Sequence, residues 1–173
     1  GENMKLIREK CCCFTGHRRV PELEGLWIRR QLRERMTELY QEGVDTFIAG
    51  GALGFDTMAA QEVVRMRDKG AYPFRLVLAL PYPGQEAGWP PQNISTYQGL
   101  LRTADEAIYL SDFYEEDCLL RRNRYMVDNS SRCICYLTTK RGRGGTVYTV
   151  KYAMKAGVRL IYLVNQSGAE EMR

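Results

Sequence analysis

The sequence predicts an α/β fold of three layers, with helices on both sides of a mostly parallel sheet of about six strands. Three observations carry this. Short apolar, β-branched runs alternate along the chain with segments of helical periodicity. Most of the runs are apolar throughout, the pattern of strands buried on both faces. Glycine clusters stand at strand-to-helix junctions, which in such a sheet line up along one edge. With 173 residues, 45% of them hydrophobic, the chain suits one core, so a single domain over 1–173 is expected, its core at about 11–164.

In order, Cys11 to Thr15 reads as a first strand, followed by Gly16-His17-Arg18-Arg19. Leu26 to Tyr40 reads as a helix with Ile28, Leu32, Met36, Leu39 and Tyr40 on one face and Gly43 as its cap. Thr46 to Ala49 is a short buried strand that runs into Gly50-Gly51-Ala52-Leu53-Gly54-Phe55-Asp56, and a helix from Met58 to Lys69 follows, with Gly70 as its stop. Phe74 to Leu80 is a third strand, after which a Pro-rich loop carries Gln85 and Trp89 into a helix from Ile94 to Thr103. Glu106 to Ser111 is a fourth strand, Cys118 to Ser130 a helix and Arg132 to Thr138 a fifth strand. Gly142-Arg143-Gly144-Gly145-Thr146 opens a last helix to about Lys155, and Arg159 to Val164 is the sixth strand. Strands joined through helices require right-handed crossovers, which gives a Rossmann-like sandwich.

Composition narrows the function classes. The net charge is +4, and 19 arginines against 6 lysines favour bidentate contacts to phosphate or carboxylate. Acidic residues are interspersed with the basic ones, so charge alone carries no nucleic-acid signature. No run of about 18 apolar residues is present, and a soluble, cytoplasmic protein without a membrane partner is expected. Six cysteines on predicted strands and at a helix start fit reduced, core-packed thiols. A single histidine and no pair of CxxC motifs argue against a metal site.

The unusual residues fall after the strands, along one sheet edge. Gly50, Gly51 and Gly54 lead into a helix N-terminus, where backbone N–H groups can receive an anion. Gly144, Gly145 and Thr146 do the same after strand five; Gly16, His17 and Arg18, then Gln85, Trp89 and Ser111, complete the edge. The expected ligand is a phosphate-bearing nucleotide: Arg18 and either Arg122 or Arg124 neutralise the phosphate, and Trp89 meets the base. Helical projection at about 3.6 residues per turn sets Asn123 in a stripe with Leu119, Leu120, Met126 and Val127, and Arg122 and Arg124 on either side of it. Asn123 is expected to tie the edge loops together. The two arginines stay open between reaching the ligand and pairing at the surface with Glu115, Glu116 and Asp128. Replacing Gly51 by a β-branched residue is expected to abolish binding and leave the fold intact.

Phe14-Thr15-Gly16-His17-Arg18, Gly50 to Asp56, Gln85 with Trp89, Arg122-Asn123-Arg124-Tyr125-Met126-Val127-Asp128 and Gly144-Gly145-Thr146 resemble the YpsA-like branch of the SLOG superfamily, in order over nearly all of residues 11 to 164. The resemblance implies a Rossmann-like domain that binds nucleotides or nucleotide-derived ligands such as NAD or ADP-ribose, and a homodimer. Its superfamily includes the lonely-guy phosphoribohydrolases, which carry a PGGxGTxxE motif. Aligned on Gly145-Thr146, this chain has Thr149 where the catalytic glutamate stands, and Thr149 cannot supply a carboxylate. Asp56 and His17 are then the candidates for a nucleotide hydrolase, with Asp56 alternatively a helix-start residue that favours the dipole. The superfamily also contains the DNA-processing protein DprA, so nucleic-acid binding is a third reading.

Overall fold

The computed structural model describes residues 5–70, 72–138 and 144–163. Six parallel strands form one sheet: β1 (Cys11–Gly16), β2 (Thr46–Ala49), β3 (Arg75–Leu80), β4 (Glu106–Tyr109), β5 (Arg132–Tyr136) and β6 (Arg159–Tyr162), in the order β4-β3-β2-β1-β5-β6. Five helices connect them: α1 (Gly25–Gln41), α2 (Phe55–Asp68), α3 (Pro91–Thr103), α4 (Cys118–Asp128) and α5 (Gly145–Lys155). Single 3-10 turns at Arg8–Lys10 and Glu22–Glu24 carry no apolar periodicity and have no counterpart in the sequence reading. No helix among the described residues is long and apolar enough to cross a membrane.

The strand order explains the layers. From β1 the chain steps outward through β2 and β3 to β4, then crosses back to β5 on the other side of β1. Right-handed crossovers in opposite directions put their helices on opposite faces. Alternation along each strand supplies both: Cys12, Phe14, Phe47, Ala49, Leu76 and Leu78 pack beneath α1 to α3, whereas Cys13, Ile48, Val77, Ala79, Cys133 and Cys135 pack beneath α4 and α5. Each fully buried aliphatic or phenyl side chain contributes roughly 1.5–3 kcal/mol. All six cysteines are free and buried; burial pushes the Cys11 thiol up to about 11 and Cys12 well above the ordinary thiol range, so neither supplies a thiolate at neutral pH.

Local chemistry sets the element ends. The α1 helix closes in a Schellman arrangement: Gly43 takes φ 97°, its N–H donates to Tyr40, and the Val44 N–H donates to Leu39. Its apolar stripe buries Ile28, Leu32, Met36 and Leu39, but Tyr40, expected on the same face, is 38% exposed and meets Tyr72 edge-on at its rim. The α2 helix starts at Phe55, three residues before the expected Met58, because Gly54 with φ 80° makes the turn without any side-chain cap. The strands β4 and β5 end at Tyr109 and Tyr136, short of the predicted Ser111 and Thr138. Gly142, Arg143 and Val164 lie outside the described residues.

Candidate functional site

Sequence order reverses between β1 and β5, and at the C-terminal ends of those strands a cleft of about 470 Å³ opens. One wall is the end of β1 and the loop after it, Phe14 to Arg18; a second is Ala52 and Asp56 at the start of α2. The α4 helix contributes Leu119, Leu120, Arg122, Asn123 and Met126, and Gly144, Gly145, Thr146 and Val147 at the start of α5 close the fourth side.

The turn between β2 and α2 is packed shut by the chain itself. Asp56 reaches back so that the Gly50 and Ala52 N–H groups face its carboxylate, the latter at 3.4 Å from Oδ2. The Phe55 N–H donates to the His17 carbonyl at 3.1 Å. A Cβ on Gly54 would come within 3.0 Å of the Arg18 and His17 carbonyls, and one on Gly51 would strike Leu80 Cδ2, with φ 70° as further strain. Gly51 and Gly54 are absent from the cleft lining. The sequence expectation that a β-branched residue at Gly51 leaves the fold intact is therefore corrected: the position has neither the backbone freedom nor the space. The anion that this turn receives is the protein's own Asp56.

Arg122 is the buried cation of the site, 4% exposed. Its Nη1 donates to the Gly50 carbonyl and its Nε to Asn123 Oδ1 at 2.8 Å, which joins α4 to the β2–α2 turn. Burial lowers the Arg122 pKa, and the Asp56 carboxyl opposes that shift. Burial in turn pushes the Asp56 carboxyl up to about 6, against the pull of Arg122, the Ala52 N–H, Arg18 and the Gly50 N–H. Of the two arginines left open by the sequence, Arg122 lines the cleft. Arg124 donates to Tyr148 Oη at 3.0 Å, away from the lining. The surface ion pairs belong to neither, since it is Arg121 that pairs with Glu115 and Asp117, and Asp128 accepts from Tyr152. Projection set Asn123 within the apolar stripe and Arg122 on its flank, whereas Arg122 is buried and Asn123 half-buried.

At α5 the backbone is open. Among the described residues, Gly144, with φ 126°, has no atom within 4 Å of its would-be Cβ, and for Gly145 only Asn123 Nδ2 comes close, at 3.8 Å. Among the described residues no acceptor takes the N–H groups of Gly145, Thr146 or Val147, the orphan donors of a helix start. Because Asn123 Oδ1 is held by Arg122, its Nδ2 donors are turned toward this same end. On the facing wall, His17 Nε2 accepts from the Thr138 N–H at 3.1 Å, which makes Nδ1 the protonated nitrogen; burial lowers its pKa and keeps the ring neutral.

Three expected site residues lie elsewhere. Gln85 donates to the Gly51 carbonyl and to Tyr97 Oη, both at 3.3 Å. Trp89 packs edge-on against Tyr97 at 5.4 Å, and Ser111 accepts from Arg121. Thr149 is 1% exposed and its hydroxyl donates to the Gly145 carbonyl at 2.7 Å, so it brings no group to the cleft. Conversely, sequence reasoning overlooked Leu119, Leu120, Met126 and Val147 as cleft residues. For Leu119 and Met126 the signal was there: Leu119, Arg122, Asn123 and Met126 recur at i, i+3, i+4, i+7, one face of a helix. Among the described residues no group of three His, Cys, Asp or Glu side chains could hold a metal ion.

Comparison with known proteins agrees with this architecture. A UPF0398 protein of Oceanobacillus iheyensis is 27% identical over 110 residues, 62% of this chain and 59% of that protein. One from Bacillus pumilus is 25% identical over 130 residues, 73% of this chain and 68% of its own length. The structure of DNA processing protein A from Helicobacter pylori, reported for its single-stranded DNA binding mode, superimposes with a TM-score of 0.64 over 92% of this chain and 67% of that one, at 21% identity. A model of the YspA SLOG family matches residues 17–167, and the chain belongs to that family.

Proposed function

We propose that the protein binds a nucleotide or nucleotide-derived ligand, of the AMP, ADP-ribose or NAD kind, through its phosphate at the β1/β5 cleft. One observation carries the reading: the amides of Gly145, Thr146 and Val147, which meet no acceptor among the described residues, belong to residues that line the same cleft as Arg18, Arg122 and Asn123. A helix start beside a guanidinium is a strong anion site, because amide donors and fixed charge act together in a partly desolvated space. The ligand set is accordingly narrower than the glycine content suggests. It consists of Gly144, Gly145, Thr146, Asn123, Arg122 and Arg18, with Gly16 and His17 on the facing wall. Cytoplasmic residence and the homodimer implied by family resemblance go with this proposal.

A second reading, single-stranded nucleic acid, is supported by the fold shared with DNA processing protein A. Calorimetry with AMP, ADP-ribose, NAD and a short oligonucleotide separates the two. The proposal expects saturable binding of one small nucleotide at a 1:1 ratio. Binding of the oligonucleotide alone, with affinity that falls steeply with salt, overturns it in favour of the second reading. Product formation in the same samples, lost in Asp56→Asn, would identify the site as hydrolytic.

A further inference from the structure

We propose that Leu119 and Leu120 form the platform on which the base of the bound nucleotide lies, with its phosphate one helical turn deeper, against Asn123, Arg122 and the first amides of α5. The inference rests on the phosphate-binding reading above and adds the ligand's orientation and the residues that select for a base. It starts from the direction of α4, which follows β4 and so begins at the open edge of the sheet and descends along it. Its cleft-facing residues are therefore met in order of depth: half-buried Leu119 and Leu120 at the mouth, Arg122 and Asn123 next, buried Met126 last.

At about 1.5 Å rise per residue, Leu119 and Asn123 stand about 6 Å apart along the axis. That is the span of one pentose. The donors of α4 and of the start of α5 lie at the deeper level, where Asn123 Nδ2 comes within 3.8 Å of the would-be Gly145 Cβ and Arg122 is fixed by the Gly50 carbonyl. A phosphate placed at the leucines instead would lose water against methyl groups that offer no hydrogen bond. A base placed at the deeper level would cover Arg122 and the α5 amides without an anion to satisfy them. Only one order, base outward and phosphate inward, suits both levels. Trp89, the aromatic residue that sequence put forward for the base, is engaged with Tyr97 outside the lining. An aliphatic platform reads the flat face of a base and leaves its edge to solvent, so AMP and UMP should bind within a few-fold of each other.

The test compares AMP with ribose 5-phosphate by calorimetry on the wild-type chain and on Leu119→Gln/Leu120→Gln. Burial of one base face is expected to make AMP about tenfold tighter than ribose 5-phosphate in the wild type. In the double variant that ratio should fall toward one while ribose 5-phosphate affinity holds, which also shows that the cleft is still folded. Leu120→Met should keep the wild-type ratio. A ratio that survives the double variant, a double variant that loses ribose 5-phosphate as well, or a wild type that binds both compounds equally overturns the platform. In the last case phosphate binding stands and only the orientation fails. A wild type that binds neither overturns the phosphate reading and the platform with it.

Discussion

Two glycine-bearing turns sit at the same edge of the sheet, each between a strand and a helix, and they differ in what fills them. Around Gly50, Gly51 and Gly54 the glycines are there because protein atoms crowd in: Asp56 and Arg122 on Gly50, Leu80 on Gly51, the Arg18 and His17 carbonyls on Gly54. Among the described residues, Gly145 meets only Asn123 Nδ2 and Gly144 meets nothing within 4 Å of a would-be Cβ. In the first turn the Gly50, Ala52 and Phe55 amides meet acceptors of the protein itself, whereas at the second, among the described residues, the Gly145, Thr146 and Val147 amides meet none. A glycine cluster before a helix is thus two different things, and the distinction lies in the neighbours instead of in the cluster.

The comparison breaks most visibly at Arg122, which bridges the two turns. Arg122→Met should cost about 3–5 kcal/mol at pH 8, because it leaves the Asp56 carboxylate buried without its cation. The loss should shrink at pH 5, where Asp56 is protonated; melting curves at the two pH values check this. Next comes Gly51→Val, expected to lower stability by about 3 kcal/mol through the positive φ and the overlap with Leu80. By contrast, Gly145→Ala sits where φ is ordinary and space is open, so its melting temperature should stay near wild type while AMP affinity drops about tenfold through crowding of the anion. If the two glycine variants behaved alike, the distinction between the turns would be lost.

Asp56 sharpens the account through pH. Its folded pKa of about 6 stands above the ordinary 3.8, so the folded state holds this proton more tightly than the unfolded chain. The resulting stabilisation is complete below pH 3.8 and is lost as pH rises through 6, about 3 kcal/mol for that shift. Chemical denaturation from pH 4 to 7 should show the fall in the wild type, and Asp56→Asn should flatten it. The smallest effect is expected at Thr149→Val, about 0.5–1 kcal/mol for one lost intrahelical hydrogen bond, with AMP binding unchanged.

What could be read from sequence follows from the range of the interactions. The sheet was legible because strands such as β2 and β5 are apolar on both faces, a local signal that burial imposes directly. The buried stripe of α1 and the Gly43 terminus were legible for the same reason. The burial of Arg122 was not, because a guanidinium is buried only when an acceptor meets it, and that acceptor, the Gly50 carbonyl, comes from a turn 72 residues away. Gln85 and Trp89 follow β3 at the C-terminal edge of the sheet, as expected, but lie outside the cleft, since Tyr97, on the following helix, claims both. The edge of the site was a matter of topology, and its floor a matter of tertiary pairing.

The most direct measurement is an NMR titration of the ¹⁵N-labelled chain with AMP, followed through assigned backbone amides and the Asn123 side-chain NH₂. The account predicts saturable shifts centred on Gly145, Thr146, Val147 and Asn123 Nδ2, with the Gly51 and Gly54 amides little changed. Shifts centred on Gly50 to Gly54, with the start of α5 silent, would contradict it.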